Sequence, residues 1–143
     1  MALHLIKLCV GAESVKDLQD WIRERRKKTR GNPREHIHTT RMMPKRAEEL
    51  LDGGSLYWVI KGAIMCREQL VAVRPFKDKD GIGRCRLVLQ PKVVLVEPRP
   101  FRAFQGWRYL DAKDAPRDLD RMAPGAAAMP EHLRRELREL GLL

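Results

Sequence analysis

Apolar and polar positions alternate from Leu3 to Cys9 until Gly11 breaks the run. That period of two predicts an N-terminal strand with Leu3, Leu5 and Ile6 turned inward. The period then lengthens, with Val15, Leu18 and Ile22 recurring at helical spacing beside Trp21. Ser14 followed three residues later by Asp17 has the spacing of a capping box, so a helix is predicted from this point. Its far end, Arg23 to Arg30, is a net +5 run closed by Gly31-Asn32-Pro33.

Glu35 to Arg41 reads as a short strand, and Pro44 at a first helical turn opens a helix from Lys45 to Asp52 that Gly53-Gly54 ends. Four segments rich in β-branched and aromatic residues follow: Ser55 to Lys61, Ile64 to Arg74, Arg84 to Gln90 and Lys92 to Glu97. Asp80-Gly81 predicts a hairpin tip between the second and third. Arg67-Glu68-Gln69 interrupts the alternation of the longest strand and is read as a bulge. Trp58, with Leu56 and Ile60 on its face, is a core candidate.

Pro98 and Pro100 end the strand-rich stretch, and Phe101 to Leu110 is an aromatic segment around Gly106. Asp111 to Pro130 has the composition of a linker. Met129, Leu133, Leu137 and Leu140 then form one apolar stripe of a terminal helix. The order predicts an α+β fold: a small, mostly antiparallel sheet or β-barrel, two helices in the N-terminal half and a C-terminal helix. Residues 1–110 are expected to be the domain and residues 111–143 a linker and amphipathic helix, removable without unfolding the rest.

Composition agrees with one packed domain. The 143 residues are 43% hydrophobic and 34% charged, and the longest apolar runs are too short to span a bilayer. No secretory leader is recognisable at the N-terminus, so a cytoplasmic protein is expected. Cys9, Cys66 and Cys85 match neither a disulfide framework nor a zinc knuckle and are read as small core residues. Charge changes the picture more. The net charge is +10, and residues 1–110 carry 23 basic and 12 acidic side chains, or +11. Such a field favours polyanionic partners.

For catalysis the chain offers little. No nucleophile elbow, Walker loop, dinucleotide fingerprint or zinc-protease helix occurs. His36 and His38 would share one strand face, where Cys66, Cys85 or Glu35 would have to complete a metal site; the ordinary alternative is a polar strand face, and no metal or other cofactor is expected. His38-Thr39-Thr40 has the His-x-Thr form of two-histidine phosphoesterases. No second copy exists, since Ile6 and Arg134 stand two residues after His4 and His132. No catalytic residue is assigned.

Binding is better supplied. Arg41, Lys45 and Arg46 precede the second helix, Lys61, Arg67, Arg84 and Arg86 lie on or between strands, and Arg84 and Arg86 share a face. Arg102, Trp107, Arg108 and Tyr109 interleave cations with aromatic rings, the combination that pairs phosphates and stacks unpaired bases. These eleven residues are the candidate nucleic-acid site.

The runs His38-Thr39-Thr40-Arg41-Met42-Met43-Pro44-Lys45-Arg46, Gly54 to Gly62 and Phe104-Gln105-Gly106-Trp107-Arg108-Tyr109-Leu110 resemble an uncharacterised alphaproteobacterial family, a domain of unknown function. That resemblance implies a bacterial cytosolic protein and brings no activity. More distantly, the layout is similar to PUA-like barrels and their ASCH relatives, which implies RNA binding. Of the ASCH signature Gly-x-Lys-x-x-Thr-x-Arg, Thr39 and Arg41 agree, while Arg34 and His36 replace the glycine and lysine.

The expectation is a non-enzymatic protein that binds RNA or another nucleic acid, with no membrane partner. The alternatives are a small enzyme acting on nucleotides or RNA through His36, His38, Thr39 and Arg41, and a scaffold whose C-terminal helix docks on a protein partner.

Overall fold

The structure, a computed structural model, describes residues 3–28, 35–102 and 104–119. In chain order the elements are β1 (Leu3–Leu8), α1 (Val15–Lys28), β2 (His36–Thr40), α2 (Ala47–Leu50), β3 (Ser55–Ile60), β4 (Ala63–Lys77), β5 (Gly83–Leu89), β6 (Val94–Pro100), β7 (Trp107–Asp111) and a 3-10 turn at Ala112–Asp114. No helix among the described residues is long and apolar enough to cross a membrane.

The strands form one mixed sheet in the order β2-β5-β4-β3-β1-β7, with β6 also on β4. Among the described strands only β1 and β3 run parallel; the other pairs are antiparallel. β4 organises the sheet. Register descends from Lys77↔Gly83 through Leu70↔Leu89 to Ala63↔Pro100, so β5 and β6 lie end to end along one edge of β4.

Of the two expected forms, sheet or barrel, the barrel is corrected: the sheet is open, because among the described residues β2 and β7 form no ladder with each other. The loop after β2 lies between these edges and is tied to β7 by side chains instead: Trp107 Nε1 donates to the Met42 carbonyl at 2.8 Å, and the Arg46 N–H to the Tyr109 hydroxyl at 3.1 Å.

Alternation explains why the middle strands are buried on both faces. Leu3, Leu5, Leu56, Trp58 and Ile60 point into the main core with Cys66, Leu70, Cys85, Leu87 and Leu89. Ile6, Tyr57, Val59 and Ile64 point the other way, onto a smaller core with Val96 and Leu110, packed by Phe101 and Phe104. Helix α1 closes the main core with Val15, Leu18 and Ile22. Ser14 Oγ accepts from the Asp17 N–H, as the capping spacing predicts, but Asp17 Oδ2 reaches the N–H of Glu13 rather than that of Ser14.

Two local expectations are revised. α2 is a single turn rather than a helix over 45–52. The interruption at Arg67-Glu68-Gln69 is regular pairing with Tyr57, Leu56 and Ser55; the register shifts flank it, one between Ile64 and Cys66 and one between Leu70 and Ala72. Residues in the segment expected to be linker run back along β6. Leu119 N–H donates to Leu95 O at 2.8 Å, Glu97 N–H to Arg117 O at 2.8 Å, and Asp118 pairs with Arg67. The predicted C-terminal helix lies outside the described residues.

Candidate functional site

Two neighbouring concavities open where the inner face of β1 meets β2, and Lys7 lines both. The alternation that buries Leu3 and Leu5 carries Lys7 to the same face, half-buried near the end of the strand. Burial holds its ammonium below the usual lysine range, with the Cys9 thiol opposing the shift.

The deeper one is a pocket of about 220 Å³ lined by residues of β1, α1, β2 and β3, among them Trp21, Arg25, His36, His38 and Trp58. Beneath it sits Glu68, fully buried on the β4 face that also carries Cys66 and Leu70. Its Oε1 accepts from Trp58 Nε1 at 2.9 Å, and its Oε2 lies 2.8 Å from His36 Nδ1. A buried carboxyl needs such partners. One acid thereby fixes both an imidazole and an indole. His38 stands edge-on to Trp58, ring centroids 5.1 Å apart, and its buried Nε2 has no hydrogen-bond partner among the described residues. Burial first, then the charges of Lys7, His36 and Arg25, push its pKa down to about 3. The Cys9 thiol is pushed up to about 12, by burial and then by Glu68. At neutral pH His38 is therefore an uncharged imidazole and Cys9 an uncharged thiol, and neither supplies an efficient base or nucleophile.

The second concavity is a wider groove of about 610 Å³. Thr39, Thr40 and Arg41 at the end of β2, Arg84 of β5, and Gln105 and Trp107 before and in β7 line it with Lys7. Arg84 gives Nε to Asp78 Oδ2 at 2.5 Å, and Arg41 is exposed with no carboxylate partner among the described residues.

Of the eleven candidate residues, the groove collects Arg41, Arg84 and Trp107. Arg46 and Tyr109 stand behind it, joined by the backbone contact above and by a guanidinium 5.4 Å from the ring centroid, while Arg46 also chelates Glu49. Trp107 and Tyr109 pack edge to face at 4.9 Å, so these rings brace the loop. Arg67 is bound at 2.7 Å through both Nε and Nη2 to Asp118 and through Nη1 to Ser55 Oγ. Arg86 lies over Phe76 and Arg108 over Phe104. Lys45 and Arg102 are exposed, and Lys61 occupies the β3–β4 turn with a positive φ of 50°.

The metal site weighed from His36 and His38 does not assemble. Glu35 pairs with Arg74, Cys66 and Cys85 are packed in the main core, and among the described residues no three potential ligands gather. Sequence reasoning missed Lys7, Trp21 and Glu68. The signal was an ionisable residue at an inward position of an otherwise apolar strand, which Lys7 and Glu68 both show.

The chain matches, over residues 5–143, the family described as "Protein of unknown function (DUF1489)". It belongs to that family. No curated protein and no solved structure matches it. Membership in the family therefore leaves activity to be argued from the groove and the pocket.

Proposed function

We propose that this protein binds nucleic acid, single-stranded RNA first, in the groove between the end of β2 and the start of β7, without acting chemically on it. The observation that carries the reading is the convergence of Lys7, Arg41 and Arg84 with the polar residues Thr39, Thr40 and Gln105 around one concavity. Cations and neutral donors side by side suit phosphate oxygens. A net charge of +10 supplies the long-range attraction that brings a polyanion to such a groove. Thr39 and Arg41, the two positions that agree with the ASCH signature, both line it. The pKa of His38, held down to about 3, and that of Cys9, pushed up to about 12, leave a weak base and a weak nucleophile, which supports binding over the alternative of a small enzyme, and the expected compartment is the cytoplasm.

The test is equilibrium binding of a single-stranded RNA 12-mer at low salt. Arg41→Gln and Arg84→Gln should each weaken binding about tenfold. Lys92→Gln, an exposed cation beyond the opposite end of β5, should change it less than twofold. Equal effects at all three positions would refute a localised groove.

A further inference from the structure

We propose that the pocket beside the groove takes one unpaired nucleobase of the bound strand, an inference that rests on the nucleic-acid reading above. Size is the first argument. An apolar cavity of about 150 Å³ accommodates a benzene ring. At about 220 Å³ this pocket suits one heteroaromatic base.

The walls supply the second argument. Trp58 is held by its bond to Glu68, and Trp21 lies against Gly11, where an added Cβ would stand 3.0 Å from Trp21 Cη2. Trp21, 37% exposed, gives a flat guest apolar and π contact, and the buried Trp58 closes the inner wall. Among the described residues no carboxylate lines the pocket, while Lys7 and Arg25 do, which favours electron-rich ring carbonyls over a cationic guest. His38 lines the pocket, and its buried Nε2, without a partner among the described residues, wants one hydrogen bond in either tautomer. A base edge offers donors and acceptors alike.

Continuity is the third argument. Lys7 belongs to both walls, so a phosphate held on Lys7 in the groove stands next to the pocket that would take its base. Trp107 and Tyr109 were the stacking candidates in the sequence, but both are committed to the loop after β2. The geometry moves the base site to α1, β1 and β2.

The experiment compares a single-stranded RNA 12-mer with a ribose-phosphate 12-mer lacking every base, by fluorescence anisotropy at equal salt, on the full chain. Wild type should bind the base-bearing strand about tenfold more tightly, the order expected of one stacked base. Trp21→Ala should bring the two strands within twofold. Trp21 is 37% exposed, so this variant should fold. His38→Leu, which keeps the bulk and removes Nε2, should reduce the preference at least threefold. If the preference persists in both variants, or wild type shows none while still binding both strands in a salt-dependent way, the pocket proposal falls and the groove stands. If neither strand binds at low salt, the groove reading falls and takes the pocket with it.

Discussion

His36 Nδ1 and Glu68 Oε2, 32 residues apart in the chain, meet at 2.8 Å with 3% and 0% of their side chains exposed. The pair ties β2 to β4 through the interior. Removing the acid would leave a buried imidazole and the Trp58 N–H without their shared partner. Glu68→Ala should therefore cost about 3–5 kcal/mol in urea unfolding. A loss under about 1 kcal/mol would mean that the network contributes little to holding the pocket.

His38 makes stability depend on pH. Its folded value of about 3 lies below the ordinary 6.5, so between these values the unfolded chain binds the proton that the folded chain refuses. Stability should then fall as pH drops from about 6.5 toward 3, by at most about 1.4 kcal/mol per unit from this group. His4, also lowered by burial and then by Arg67, adds in the same direction. His38→Leu should be about 1 kcal/mol more stable at pH 7, having lost an unsatisfied buried nitrogen, and should flatten the pH 7 to 5 segment. An unchanged slope in that segment would show that His38 is not the group responsible.

Gly54 follows the single turn of α2, and a Cβ there would collide with the backbone oxygens of Leu50 and Leu3. No side chain can yield. Gly54→Ala should cost more than about 3 kcal/mol or abolish the thermal transition, whereas Gly53→Asn, at a left-handed position with open space around it, should cost under about 1 kcal/mol.

The stretch up to Leu119 pairs with β6, and Asp118 neutralises the part-buried Arg67. A chain ending at Leu119 should melt at least about 4 °C higher than one ending at Asp111. Equal melting temperatures would support the expected boundary at residue 110 and show that the return along β6 adds nothing.

Much of the fold was legible because the strands obey their period: the burial of Leu3, Leu5 and Trp58 and the hairpin at Asp80-Gly81 follow from alternation and turn chemistry. What was not legible depended on contacts between distant residues. Glu68 looks like an interruption until His36 and Trp58 are brought to it. Asp118 reads as linker until Arg67 needs a partner. The openness of the sheet turns on how the chain between β2 and α2 meets Trp107 and Tyr109, and local pattern does not encode that meeting. The same limit applied to the site. Basic and aromatic residues could be counted along the chain, but their assignment to groove, brace or ion pair required the register of β1, β2, β5 and β7.

Phosphate binding in the groove should make RNA affinity depend on salt. For a single strand, log affinity should fall linearly with log salt at about −0.7 per neutralised phosphate. Wild type should show a slope of about −2 if Lys7, Arg41 and Arg84 each meet one phosphate. Arg41→Gln and Arg84→Gln should each make that slope shallower by about 0.7, and the double variant by about 1.4. A wild-type slope near zero, or slopes unmoved by either substitution, would contradict phosphate binding in the groove.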